Sequence, residues 1–192
     1  MTGVLTSLAG FTIVVALVAL ERVAELVVSR RNAAWSLARG GRESGQGHYP
    51  VMVVLHTGFL VAMLVEAYLR RPDVGPALAW SMLVLLLASQ ALRWWCIATL
   101  GPRWNTRVIV VPGLPPVRSG PYRLLPHPNY VAVVVEGLAL PLVHACWWTA
   151  VGFTLANAAL LTVRLRVENA ALATLPQASA SSSGTGTEVV DA

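Results

Sequence analysis

The residues with the most specific chemistry lie near the end of the chain, in a segment that predicts a helix. Asn157, Arg164 and Glu168 fall within roughly 40° of one another on a helix that turns about 100° per residue, so they form one polar stripe. Arginine is permanently charged, and its fork matches the two oxygens of a carboxylate. An ion pair between Arg164 and Glu168 at a membrane surface fits the same spacing, and periodicity alone does not choose between them.

A second concentration of chemically useful side chains occupies residues 119–130, which read SGPYRLLPHPNY. A glycine–proline pair predicts a turn, and the prolines on both sides of His127 fix its backbone. Pro128 suits the first turn of a helix that continues with Asn129 and Tyr130. The amino end of such a helix can hold a carboxylate or the polar groups of a cofactor. An ordered turn without any ligand would account for the pattern as well.

The composition places these residues in a membrane protein. Of 192 residues, 56% are hydrophobic and 12% are charged, and the mean hydropathy is +0.63. A single soluble domain of this length could not bury so much apolar surface. All 14 basic residues are arginines, and they cluster between apolar runs. That distribution is typical of the loops of membrane proteins and argues against a nucleic-acid partner, despite the formal charge of +5.

Five helices are expected from the apolar runs. The stretch from residue 129 to 165 is too long for one span, and residues 141–148 offer a break, so it predicts a hairpin of two short helices. The predicted spans are residues 4–28, 51–69, 77–97, 129–143 and 147–172. Residues 176–192 are rich in serine, threonine, glycine and alanine, and we expect them to form a disordered tail.

The segment between the third and fourth runs, residues 99–128, is rich in proline and predicts an ordered loop with a few extended residues around Arg107–Val111. This loop and the one that follows the first run, from Arg30 onward, each carry at least four arginines, so both should face the cytoplasm. Five spans then place the amino terminus outside. The pair Arg70–Arg71 would fall on the outer side, against the rule.

Other polar residues interrupt the apolar runs. Glu136 shares a helix face with Asn129 and is flanked by apolar residues, so it must point at protein or into a cavity. Glu21, Arg22 and Glu25 predict a cluster that packs against neighbouring helices.

The cysteines and histidines do not predict a metal centre. Cys96 and Cys146 are isolated in apolar sequence, which is typical of small buried side chains. His48 and His56 have no third ligand at a usable spacing, so we expect no metal.

Two segments together resemble the isoprenylcysteine carboxyl methyltransferase family. SGPYRLLPHPNY is similar to its motif G-x-Y-x-x-x-x-H-P-x-Y, and RLRVENAAL, residues 164–172, is similar to R-x-x-x-E-E-x-x-L, with Asn169 at the place of the second glutamate. The segments GPRWNTRVIVVPG and HYPVMVVLH resemble the bacterial branch that accompanies polyketide synthases and methylates alkylpyrones.

This resemblance implies a pocket for S-adenosylmethionine that is open to the cytoplasm, and a tunnel for a lipophilic acceptor. By match to the family motifs, Arg164 would hold the anionic oxygen of the acceptor. The residues that the resemblance assigns to the cofactor are Arg107, Leu114, Pro115, Pro116, Val117, Tyr122, His127, Pro128, Asn129, Tyr130 and Glu168.

We therefore expect an all-α integral membrane protein with about five transmembrane helices and an ordered cytoplasmic catalytic loop. Residues 1–175 would form the methyltransferase domain, in a bacterial plasma membrane. The acceptor would carry a carboxylate or an acidic enol on a prenyl or alkyl chain, and a small lipid such as an alkylpyrone fits better than a protein. An NADPH-dependent reductase of the sterol-reductase type and a non-catalytic membrane scaffold are the alternatives. The sequence does not predict an oligomeric state.

Overall fold

A computed structural model describes residues 6–175, which form five α-helices and one small sheet. Two short 3-10 turns, Gly101–Arg103 and Gly120–Arg123, lie in the long loop. The predicted helical class is confirmed, whereas the predicted disordered tail, residues 176–192, lies outside the described residues. The elements in chain order are α1 (Leu8–Leu37), β1 (Arg42–Ser44), α2 (His48–Arg70), α3 (Pro76–Leu100), β2 (Val108–Val110), α4 (Pro128–Leu142) and α5 (Trp147–Leu172).

Three of the helices are long and apolar enough to cross a membrane. They are α2, α3 together with its 3-10 extension to Arg103, and α5, with mean hydropathies of 1.9, 1.6 and 1.3. Large apolar side chains such as Leu69 and Val54 point outward, as lipid contact requires. Helix α1 carries charged residues in its middle, and α4 has only 15 residues, so the count of five spans stays a prediction.

Helix α1 is longer than expected. The sequence predicted a loop from Arg30 onward, but the helix continues to Leu37. The extra turns are held by the long loop after α3. The Asn32 amide donates to the carbonyls of Gly101 at 3.1 Å and Trp104 at 2.8 Å, and the Ser29 hydroxyl lies 2.8 Å from that of Thr106. These contacts fix the first part of the loop against α1.

The extended residues predicted around Arg107–Val111 are confirmed as β2, whereas its partner β1 was not predicted. The two strands are antiparallel, with Glu43 opposite Ile109. Val108 and Val110 bury their side chains against Ala171 near the end of α5. The sheet therefore holds the middle of the loop against the carboxyl end of α5.

The predicted hairpin of α4 and α5 is confirmed, with its break at residues 143–146. The two helices come close because Gly137 has no side chain: a Cβ there would lie 2.5 Å from the Phe153 ring. The main apolar core, which includes Phe11, Met63 and Leu140, fills this end of the bundle. The two ends therefore differ, since apolar packing dominates here and the loop covers the opposite end.

Glu66 of α2 caps the amino end of α5. Its carboxylate accepts from the backbone N–H of Trp148 at 3.2 Å and of Thr149 at 2.7 Å, and from the Thr149 hydroxyl at 2.7 Å. Cys146, at the cap position itself, supplies no side-chain cap. A carboxylate at this end also interacts favourably with the helix dipole.

Replacing Glu66 by alanine should lower the free energy of unfolding by about 1–2 kcal/mol, because two N–H groups of α5 lose their acceptor. Thermal unfolding in detergent measures the effect. The matched control is Asp73→Ala, which removes an exposed carboxylate from the turn after α2. Equal losses in the two variants would contradict the capping role.

Candidate functional site

Two cavities meet beneath the long loop. The first, which we call the loop cavity, has a volume of about 200 Å³. Its wall is formed by the loop, β2, the first turn of α4 and the last turns of α5. It brings together almost all of the residues that the sequence singled out, namely Arg107, Leu114, Pro115, Pro116, Val117, Tyr122, His127, Asn129, Tyr130, Arg164 and Glu168.

The second, the helix cavity, has a volume of about 180 Å³ and takes its wall from all five helices. Apolar side chains such as Phe59, Leu60 and Leu161 form much of that wall. Five residues border both cavities and define the junction between them: Trp104, Asn105, Asn129, Tyr130 and Arg164.

Arg164 is buried at this junction, with 6% of its surface exposed. Its Nε donates to the Tyr130 hydroxyl at 3.0 Å, its Nη2 to the Thr106 carbonyl at 2.5 Å, and its Nη1 to the Met52 sulfur at 2.6 Å. The side chain is therefore fixed by α2, by the loop and by α4. The alternative of a guanidinium that extends to water does not match this burial.

No carboxylate among residues 6–175 lies within ion-pair distance of Arg164. The direct pair with Glu168, which the spacing left open, is absent because the Tyr130 hydroxyl lies between the two side chains. A guanidinium has five N–H donors, of which three are used here, so one on each Nη remains for a ligand. A buried cation with open donors is a strong site for an anion.

A chain of hydrogen bonds leads from Arg164 to the wall of the loop cavity. The Tyr130 hydroxyl donates to Glu168, whose other oxygen lies 3.3 Å from Nδ1 of His127. The Nε2 of His127 donates to the Asn169 side-chain oxygen at 2.9 Å. Asn169, where the family motif has a second glutamate, thus orients the histidine.

The surroundings of His127 favour its protonated form. The hydrogen bond to Glu168 raises its pKa above the ordinary value of 6.5, although partial burial lowers it. Burial, with the Cys96 thiol close by, also raises the pKa of Tyr122, so its hydroxyl stays protonated and can donate. The loop cavity therefore presents a carboxylate, a titratable imidazole and a phenol on one wall.

The remaining predicted residues take different places. Arg107 is half-exposed, lies 3.3 Å from Glu43 and stacks over the Tyr49 ring. The strip from Leu114 to Val117 is held by Arg103, which donates to the Pro115 carbonyl at 2.7 Å. Pro128 does not border the cavity, because its ring is fully buried where α4 begins.

The sequence did not single out two residues of the junction that carry unsatisfied polar atoms. Trp104 Nε1 and Asn105 Nδ2 are buried without a hydrogen-bond partner, as is Oδ1 of the predicted Asn129. Buried polar atoms are normally paired, so these three are suited to a ligand. The sequence signals for Trp104 and Asn105 were their place in a proline-rich loop and in the segment GPRWNTRVIVVPG, neither of which singles out these two side chains.

Comparisons with known proteins indicate the family of the chain. Residues 82–174 match the isoprenylcysteine carboxyl methyltransferase family. The chain is 36% identical to the uncharacterized protein YpbQ of Bacillus subtilis, over 84% of this chain and 96% of that protein. It is 23% identical to an uncharacterized protein of Haemophilus influenzae, over 80% of this chain and 90% of the relative. No solved structure matches the chain.

The chain is thus a multi-pass membrane protein of the methyltransferase class, as its fold and its match indicate. It belongs to the isoprenylcysteine carboxyl methyltransferase family.

The ion pair of His127 with Glu168 should make stability depend on pH. Because the folded-state pKa of His127 is raised, its contribution is fully present below about pH 6.5 and is lost as the pH rises through the folded value. Thermal unfolding of the wild type and of His127→Gln should be measured over roughly pH 5 to 9. The wild type should have the higher melting temperature at low pH, and the difference between the two proteins should shrink as the pH rises. When both proteins also carry Glu168→Gln, the difference in melting temperature should no longer depend on pH. If the difference is constant with pH while Glu168 is present, the pairing is refuted.

Proposed function

We propose that the protein is an S-adenosylmethionine-dependent O-methyltransferase that acts on a carboxylate or an acidic enol of a lipophilic acceptor. The observation that carries this proposal is the buried Arg164 at the junction of the two cavities, with open donors and no carboxylate partner within the described residues. A permanently charged, oriented fork at this place suits an acceptor that is already ionised.

The residues of the loop cavity fit the cofactor. Glu168 offers a carboxylate to a positive group, while the unpartnered atoms of Trp104, Asn105 and Asn129 offer two donors and one acceptor to polar groups of the cofactor. The strip from Leu114 to Val117 offers an apolar wall for a flat ring. When bound, S-adenosylmethionine supplies an electrophilic methyl group on a sulfonium.

The task of the chain's own residues is to position the acceptor and the cofactor and to exclude water from them. A carboxylate or an acidic enol is ionised at neutral pH, so no strong base is required. Arg164 would hold that anion, and Tyr130 together with the Thr106 carbonyl would keep the guanidinium plane fixed. Alignment of two reactants in a site from which water is excluded accounts for much of the rate enhancement in such displacements.

The helix cavity suits the greasy part of the acceptor. Its walls are largely apolar, and it begins at Arg164 and extends between the helices. A prenyl or alkyl chain would lie here, with its acidic end at the junction. An alkylpyrone is one acceptor of this kind.

The arrangement in the membrane is part of the same proposal. Five spans would place the loop, α1's last turns and the sheet on the arginine-rich side, which the positive-inside rule assigns to the cytoplasm of a bacterial plasma membrane. The cofactor would enter there from water, and the acceptor would enter from lipid.

Replacing Arg164 by alanine should lower kcat/KM for methyl transfer at least a hundredfold, because the acceptor anion loses its orienting cation. Affinity for S-adenosylmethionine should remain largely unchanged. Radiolabelled methyl transfer to a bacterial lipid extract and cofactor titration measure the two quantities. The matched control is Arg166→Ala, an exposed arginine on the same helix. Loss of cofactor binding in Arg164→Ala would reassign the residue to the cofactor.

Cofactor choice distinguishes the proposed activity from the reductase and scaffold alternatives. A ligand that binds only the folded state, present at about a hundred times its dissociation constant, adds roughly 2.7 kcal/mol to the free energy of unfolding. We expect S-adenosylmethionine to raise the melting temperature in detergent and NADPH to leave it unchanged. His127→Ala should weaken the effect. Stabilisation by NADPH, or by neither compound, would count against methyl transfer.

A further inference from the structure

The end of the helix cavity remote from Arg164 is polar, although the proposed acceptor chain is apolar. All five helices place a charged, imidazole or amide side chain there, and none of these side chains belongs to the junction. This set, which we call the cavity floor, consists of Arg22, Glu25, His56, Arg93, Glu136 and Asn157.

The floor lies about two helical turns from the junction. Seven residues separate Asn157 from Arg164 on α5, and seven separate Asn129 from Glu136 on α4. At a rise of about 1.5 Å per residue, the two polar ends of the cavity are roughly 10 Å apart. Apolar side chains such as Val133 and Leu161 lie along the wall between them.

The charges of the residues that line the floor balance one another, and a third carboxylate, that of Glu21, lies 3.4 Å from Arg22 outside the cavity wall. Arg93 lies 2.5 Å from Glu136 and Arg22 lies 2.7 Å from Glu25, with cross contacts of 3.7 Å between the two pairs. The carboxylates and Arg93 are almost completely buried. A further charge would therefore be uncompensated in this environment, whereas a neutral polar group would meet donors and acceptors at no electrostatic cost.

Several floor atoms lack a hydrogen-bond partner. They include Arg22 Nε and Asn157 Oδ1, and also Arg93 Nε and Glu25 Oε1, which face each other at 3.7 Å. Asn157 is the clearest case, since it is 3% exposed, borders the cavity, and its side chain has no hydrogen bond to the described residues. A structural ion cluster alone would not require an unpaired amide beside a cavity.

We propose that the acceptor has two polar ends: an acidic group at Arg164 and, roughly 10 Å away along its chain, an uncharged hydroxyl or carbonyl that hydrogen-bonds to Asn157 and the cavity floor. This inference rests on the proposed function, because it assigns the anionic end to Arg164. A plain alkyl or prenyl chain would leave the floor unpaired, so the site discriminates against it.

Two acids of equal chain length test the proposal. ω-Hydroxydecanoic acid carries the second polar end, and decanoic acid lacks it. With the purified full chain in detergent, we expect the hydroxy acid to bind about tenfold more tightly, as one added hydrogen bond implies. Isothermal titration measures both affinities without S-adenosylmethionine, so that no ester forms during the measurement.

Asn157→Leu should make the two affinities similar, because it weakens binding of the hydroxy acid and leaves binding of decanoic acid unchanged. The matched control is Thr162→Leu on the same helix, where the exposed hydroxyl bonds only to the Ala158 carbonyl, and it should keep the tenfold preference. If Asn157→Leu does not fold, Asn157→Ala removes the amide without added bulk. Three outcomes would each overturn the inference: equal affinities in the wild type, binding of neither acid, or an Asn157 variant that still prefers the hydroxy acid.

Methyl ester formation after S-adenosylmethionine is added to the same samples separates the two proposals. If both acids form esters without preference, the proposal of methyl transfer stands and the proposal of a second polar end fails. Preferential binding of the hydroxy acid without ester from either acid would support the two-ended site and count against the transfer reaction.

Discussion

The phenol of Tyr130 joins a cation and an anion that would otherwise pair directly. Arg164 and Glu168 are one turn apart on α5, and a direct contact would neutralise both. Because the hydroxyl accepts from Arg164 and donates to Glu168, Arg164 keeps free N–H donors at the junction of the cavities, and Glu168 keeps its carboxylate for the loop cavity. The division of the site into an anion side and a cation side depends on this one side chain, which the first turn of α4 supplies.

Everything that packs around the long loop helps to keep that geometry. Helix α1 holds the loop's beginning through Asn32 and Ser29, and the small sheet ties its middle to the end of α5. Pro128 starts α4 directly after His127, so the histidine and the phenol are set by one backbone turn. The junction is therefore a product of tertiary contacts between distant segments.

The sequence predicted the parts of this site that depend on local pattern. Proline placement located the start of α4, and helical periodicity put Arg164 and Glu168 on one face. The bridging role of Tyr130 could not be predicted, because periodicity gives a helix face and not its neighbour. Strand β1 has three polar residues and no apolar alternation, and Asn32 looks like an ordinary helix residue until its partners are known.

The three contacts of Arg164 differ in strength. Tyr130 and the Thr106 main chain are firm oxygen partners, and together they set the plane of the guanidinium. The third partner, the thioether of Met52, is a weak acceptor. An incoming oxygen can therefore displace sulfur from the Nη1 edge in a cheap exchange, without disturbing the two bonds that aim the side chain. The orientation of the Arg164 guanidinium is therefore fixed, while the Nη1 contact can be exchanged for a ligand.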